Sequence, residues 1–132
     1  MAAVVDTDVF SFDFKDDTRK VLYEPHLTNQ FLFLSFMSFA ELHSWSLNRG
    51  WGPERIARLE RAFGHYSIQY STREICLLWS EIMYESRLNG KPVGISDGWV
   101  AATAISLGVP LISHNANHFR HIRRLELITE NK

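Results

Sequence analysis

Two rhythms of hydrophobic positions alternate along this chain. Short apolar runs rich in β-leaning residues are separated by longer segments in which apolar residues return every three or four positions. Ala2 to Val5 is the first run and stops at Asp6. Phe31 to Phe36 is the second, broken only by Ser35, as expected for a strand covered on both faces. Tyr66 to Tyr70 alternates, and Pro110 to Ser113 and Leu125 to Thr129 supply two more short strands.

Helices are predicted between them. Asp8 is placed to cap a short one after the first strand, and Asp13 to Tyr23 predicts a second that ends before Pro25. Ser38-Phe39-Ala40-Glu41 has the S-x-x-E form of a capping box and predicts a helix to about Asn48. Gly50 and Gly52 break that helix. Pro53 opens the next, whose stripe is Ile56, Leu59 and Phe63, with Gly64 as its stop. Ser71-Thr72-Arg73-Glu74 is a second capping box, ahead of the strongest stripe: Ile75, Leu78, Trp79, Ile82 and Met83. That helix ends near Asn89-Gly90. Ser96 is expected to cap a helix carrying Trp99, Val100, Ala104 and Ile105 that stops at Gly108, and His114 to Phe119 reads as a polar loop or single helical turn. The alternation of strand and helix predicts an α/β fold with a mostly parallel sheet.

Composition narrows the class. The 132 residues fit one domain, 1–132, with no room for a second. The net charge of −1 gives no global basic field, so any hold on nucleic acid must come from local patches. A lone cysteine, Cys76, rules out an internal disulfide and, beside the apolar stripe, is expected to be a buried structural thiol. The chain start lacks a basic n-region and the longest apolar run is too short for a bilayer, so no membrane role and a cytoplasmic setting are the expectation.

The chemistry sits at the junctions. Asp6 ends the first strand, Glu41 follows the second, Asp97 opens the helix before the Pro110 to Ser113 strand, and Asn115 lies just beyond it. In a parallel sheet the strand C-termini share one edge, where sites form. Singly, Glu41 is explained by its capping box and Asp97 as a first-turn acid favouring the helix dipole. An acid directly ending an apolar strand is harder to explain structurally, and all four residues fall on one predicted edge. Clustered carboxylates repel, and a divalent cation compensates; oxygen-only ligands select Mg²⁺ or Mn²⁺ over Zn²⁺. Such an ion at a phosphodiester polarises the phosphoryl oxygens and activates water. His114, His118 and His121 lack the spacing of a zinc site. Arg120, Arg123 and Arg124, which follow the site loop with His118, are candidate phosphate contacts, ahead of a second group at Arg49, Arg55, Arg58 and Arg61. Glu54 and Arg58 have the spacing of a helical ion pair.

Val4-Val5-Asp6-Thr7-Asp8-Val9-Phe10 resembles the opening motif of PIN domains, with Asp8 in place of the usual Asn. Ser38-Phe39-Ala40-Glu41-Leu42 resembles the second motif. Ile95 to Ala104 resembles the I-x-x-x-D-x-W-I-A-A-T-A block, slightly shortened before Asp97, and Pro110 to Asn115 with His118-Phe119 resembles the closing signature. The similarity runs through nearly the whole chain in order, and its nearest branch is the VapC-type toxins of bacterial toxin–antitoxin pairs. It implies a three-layer α/β/α PIN-like domain and a metal-dependent endoribonuclease. It further implies Asp6, Glu41 and Asp97 as metal-binding acids, Asn115 completing the catalytic set, Ser113, Thr7 and Asp8 in support, an RNA substrate, an antitoxin partner and a homodimer. Asn115 stands where some members carry an aspartate.

Two other readings stay open. Asp6-Thr7-Asp8 has the D-x-D spacing of haloacid dehalogenase-type phosphatases, but the lysine and late acidic pair of that chemistry are not evident. A catalytically weak PIN-like module that binds RNA or protein is the other.

Overall fold

The computed structural model describes residues 1–131. Its frame is a sheet of five parallel strands in the order β3-β2-β1-β4-β5. The strands are β1 (Ala2–Val5), β2 (Phe31–Ser35), β3 (Ser67–Gln69), β4 (Leu111–Ile112) and β5 (Leu127–Ile128). Every run read as a strand in the sequence contains one; β1 matches its run, and the other four are shorter than the runs that mark them.

Helices α1 (Thr7–Phe14), α2 (Lys20–Leu27), α3 (Phe36–Asn48), α4 (Pro53–Phe63), α5 (Arg73–Leu88), α6 (Ile95–Leu107) and α7 (Ala116–Phe119) cover both faces. The pleat divides the core. Val4 and Leu111 point to one side and pack with Ile75, Leu78 and Ile82 of α5 and Val100 and Ala101 of α6. Ala3, Val5, Leu34 and Ile112 point to the other, against Phe10 of α1, Tyr23 of α2, Leu42 of α3 and Leu59 and Phe63 of α4. Burying each large aliphatic side chain contributes about 1.5–3 kcal/mol, and Val4 and Val5 are both inaccessible to solvent. The aromatic residues Trp45, Trp51, Tyr66 and Trp79 are partly buried against these two cores.

Several helix starts differ from the sequence reading. Asp6, not Asp8, caps α1 by accepting from the Thr7 N–H. Ser35, not Ser38, caps α3, and Thr72, not Ser71, caps α5. Gly94 precedes α6 with no side-chain cap, so Ser96 lies inside the helix. Helix α2 begins later than expected and runs through Pro25. Pro25 falls in the sixth position of this short helix, where its missing N–H removes one intrahelical bond. Ile56 is exposed rather than packed, and Cys76 is exposed rather than buried. Among the described residues no helix is long and apolar enough to cross a membrane.

The topology positions the site. From central β1 the chain moves first to β2 and β3, then crosses back to β4 and β5 on the other side of β1. The order therefore reverses between β1 and β4, and a crevice opens at the C-terminal ends of those two strands. Val5 pairs with Ile112, so Asp6 and Ser113 follow side by side.

Candidate active site

Asp6 is the centre of this crevice. It is 5% exposed, and both of its oxygens are engaged. Oδ1 accepts from the Thr7 N–H at 2.8 Å, and Oδ2 accepts from the Ser113 hydroxyl at 2.7 Å. The Ser113 Oγ in turn accepts from the Asn115 N–H at 3.0 Å. The end of β1 and the end of β4 are thus tied through one carboxylate. Burial first, then the charges of Asp8 and Asp97, push the Asp6 carboxyl up to about 7; the Ser113 and Thr7 hydrogen bonds work against that rise.

Helix α3 delivers Glu41. Because Ser35 caps this helix, Glu41 lies in its second turn, and the capping-box explanation of the residue falls away. Its carboxylate meets the first motif instead. Thr7 Oγ1 lies 3.1 Å from Glu41 Oε1 and 2.8 Å from Ser38 Oγ. An ionised carboxylate only accepts, so the Thr7 hydroxyl proton goes to Glu41 while the Ser38 hydroxyl fills a Thr7 lone pair. Burial and the Asp97 charge hold the Glu41 carboxyl above its usual range.

Asp97 arrives on the first turn of α6. Burial raises its carboxyl, and His118, whose Nδ1 is 2.9 Å from Asp97 Oδ2, opposes the rise. His118 sits on α7, so this contact joins the third and fourth sequence motifs. Asp8, freed from capping, spans the crevice: Oδ1 accepts from Val9 N–H at 2.7 Å and Oδ2 from His114 N–H at 3.1 Å. Burial raises this carboxyl too.

Asp6, Thr7, Asp8, Glu41, Asp97, Ser113, Asn115 and His118 are therefore linked by hydrogen bonds or by mutual repulsion. Asn115 joins through its backbone N–H, with its side chain exposed. Arg120 and Arg124 are engaged elsewhere, Arg120 with the Asn131 carbonyl and Arg124 with Glu81. Arg123 is exposed.

Three contributors were not singled out as site residues in the sequence. Ser38 completes the hydroxyl chain at Thr7. Tyr23, wholly buried, holds the site loop: its hydroxyl lies 2.6 Å from His114 Nδ1 and accepts from the Glu130 N–H at 3.0 Å. The Asn131 amide donates to the His114 carbonyl at 2.9 Å. Tyr23 lies in a polar helical segment with no periodic signal pointing to it. Ser38 was visible only as a cap.

The donor set suits a hard divalent cation. It consists of carboxylate oxygens, Asp6 is buried and the others half-buried, burial raises the proton affinity of all four, and like charge adds to it at Asp6, from Asp8 and Asp97, and at Glu41, from Asp97. Among the described residues, no three acids, histidines or cysteines are already drawn together as a closed ligand shell, so the arrangement is an open acidic crevice rather than a cage.

An all-parallel sheet with hydrogen-bonded carboxylates where its strand order reverses defines an α/β protein with an acidic edge site. Within that class the chain belongs to the PIN domain family, which it matches over residues 3–125. It is 27% identical over 128 residues to the Ribonuclease VapC1 of Haemophilus influenzae strain R2866, covering 96% of each chain. Among solved structures, it is similar to VapBC-1 from nontypeable Haemophilus influenzae, with a TM-score of 0.85 and 27% identity over 100% of both chains. VapBC2 from Rickettsia felis, solved with a DNA fragment of its promoter, superposes at a TM-score of 0.86 with 19% identity over 98% of each chain. That likeness establishes the fold. The haloacid dehalogenase-type reading gains no support from any of these likenesses.

Proposed function

We propose that this chain is a metal-dependent endoribonuclease acting as the toxin of a type II toxin–antitoxin pair. The observation that carries the reading is Asp6, buried at the strand-order reversal, fixed by Thr7 and Ser113 and crowded by Asp8 and Asp97. Its likeness to Ribonuclease VapC1 along 96% of the chain supports the substrate class.

In this reading Asp6, Asp97 and Glu41 hold Mg²⁺ or Mn²⁺, which when bound neutralises charge on the phosphodiester and makes water a better nucleophile. The protein's own part is positioning. Ser113 and the Thr7 N–H fix the Asp6 carboxylate in one orientation. Thr7 holds Glu41, whose remaining lone pairs are free to take a proton from water. Asp8 holds the backbone of the loop that presents Asn115. His118, paired with Asp97, is placed to keep or release a proton beside the substrate.

An antitoxin partner belongs to the same proposal, supported by relatives solved as VapBC complexes, and a homodimer is proposed with it from the family resemblance alone. The deciding experiment is digestion of total bacterial RNA with Mg²⁺ or Mn²⁺, beside an EDTA control and the Asp97→Asn variant. Discrete fragments that vanish in both controls support the reading. No cleavage by a folded protein that binds no Mn²⁺ favours the non-catalytic PIN-like module, and full activity in Asp97→Asn removes the mechanism.

A further inference from the structure

The cations at the far ends of α1 and α3, Lys15 and Arg49, together with Arg55 and Arg58 of α4, have no counterpart in the acidic site. Arg55 lies over the Trp51 ring at 4.1 Å, Arg58 over Phe14 at 4.5 Å and Arg49 over Trp45 at 5.0 Å; Lys15 also approaches Trp45, at 5.4 Å. All four cations are exposed, whereas their three aromatic partners are partly buried. Among the described residues none of the four has a carboxylate within ion-pair distance, and the expected Glu54–Arg58 pair does not form. Glu54 lines the same cleft as Arg55, Arg58 and Arg61, and Asp17 lies near Lys15, so the patch is basic but not free of acids. Burial first, then the nearby charges of Arg49 and Arg55, lower the proton affinity of Lys15.

An ordinary solvated helix face offers flexible, separately hydrated cations. Here the aromatic faces hold the guanidinium groups in place, which reduces the entropy lost on binding; Arg58 gives one N–H to the Phe14 carbonyl at 3.5 Å, and its other donors and those of Arg49 and Arg55 face solvent. A cation–π stack uses the face of guanidinium and leaves its fork of donors, whose geometry matches phosphate oxygens.

The patch is built into the frame of the acidic site. Helix α1 starts with Thr7 in the crevice and ends at Phe14 and Lys15. Helix α3 carries Glu41 near the crevice and ends beside Arg49. Eight residues separate the two functions on α3, about 12 Å of helical rise. A polyanion is repelled by four crowded carboxylates, so most of its binding energy must come from a cationic surface within reach of the crevice. Arg120 and Arg124 are already engaged with Asn131 and Glu81.

We infer that Lys15, Arg49, Arg55 and Arg58 form a phosphate-backbone platform for single-stranded RNA, holding the strand a few nucleotides from the acidic crevice. The inference rests on the ribonuclease reading for its substrate class. An RNA strand is favoured over an acidic peptide because Lys15 and Arg49 end the two helices that also serve the crevice, which on the ribonuclease reading takes the same strand, and because guanidinium forks match its phosphate oxygens.

The test is fluorescence anisotropy of the full chain with labelled oligouridylate in EDTA, titrated with salt, for wild type, Arg55→Glu/Arg58→Glu and the milder Arg55→Gln/Arg58→Gln. Thermal melts establish that both variants are folded. The platform predicts at least tenfold weaker binding for the charge reversal, an intermediate loss for the glutamine variant, and a salt slope shallower by about 0.7 for each phosphate contact removed. Unchanged affinity and slope in a folded variant overturn it, as does failure of wild type to bind the oligonucleotide. Tighter binding of polyglutamate than of RNA overturns it in favour of an acidic peptide. Failure of the ribonuclease reading is separately visible: wild type then binds RNA through the patch yet cuts nothing with Mn²⁺.

Discussion

The Ser113 hydroxyl donates to Asp6 Oδ2 across 2.7 Å, joining residues 107 positions apart. It binds a buried carboxylate that two other acids repel, so it stabilises the charged form. Ser113→Ala is expected to slow RNA cleavage roughly 10- to 100-fold, the range for losing a partner of a metal-binding side chain, while Ser113→Thr keeps most activity. Single-turnover rates at saturating Mn²⁺ check this; equal rates for Ala and wild type exclude a positioning role.

The same carboxylate sets a pH dependence in metal-free protein. The unfolded Asp6 ionises near its ordinary value of 3.8, whereas in the fold it keeps its proton to about 7. Between those values the folded state binds more protons, so stability falls as pH rises from about 4 to about 7 and levels off above. Melting in EDTA across that window should show the decline. Asp6→Asn should make the decline shallower, leaving the part that the raised carboxyls of Asp8, Glu41 and Asp97 contribute, and melt higher at neutral pH; added Mg²⁺ should flatten it in wild type.

Asn115 tests how much charge the crevice tolerates. Its N–H bonds to Ser113 while its side chain stays exposed. Asn115→Asp adds a fourth acid to the proposed metal-binding set. Isothermal titration with Mn²⁺ should show tighter or additional binding, and the metal-free protein should lose stability. Unchanged Mn²⁺ binding would place residue 115 outside the ion's reach.

Gly98 marks a close approach of α5 and α6. A Cβ there would meet Trp79 Nε1 and Met83 Sδ at 3.0 Å. In an open helix Gly→Ala stabilises by about 1 kcal/mol. Here the Trp79 ring, stacked on Trp99 at 4.6 Å and bonded to the Ile95 carbonyl, resists displacement. Gly98→Ala should therefore destabilise by about 1–3 kcal/mol, as overpacking does. It should also alter the near-ultraviolet signal of the tryptophan pair.

The strands and their order of appearance were legible because a doubly covered sheet demands apolar runs. The four motifs and their meeting at one edge followed from strand polarity. What the sequence left ambiguous was local choice between equivalent groups. Ser35 and Ser38, Ser71 and Thr72, and Asp6 and Asp8 are all competent caps, and only the point where each strand stops decides among them. That choice changed the meaning of Glu41 and Asp8, both of which lost a structural explanation. Cys76 lies one position from the Ile75 stripe, about 100° around the helix, far enough to face solvent. The ranking of the arginines depended on long-range partners such as Glu81 and Asn131, which no local pattern reveals.

The hold of Tyr23, Glu130 and Asn131 on the His114 loop makes the site depend on a segment that contributes none of its acids. Every proposed catalytic carboxylate lies before β5 in the sequence. Without β5 and the residues beside it, β4 lacks its outer neighbour, Tyr23 lacks the Glu130 N–H and the His114 carbonyl lacks the Asn131 amide. All the acids of the crevice would then be present, with the fourth-motif loop held only by its bonds to Asp8, Ser113, Tyr23 and Asp97. The outermost strand thus serves as a clasp, and a chain clipped there keeps its charges but loses part of the frame that aims them.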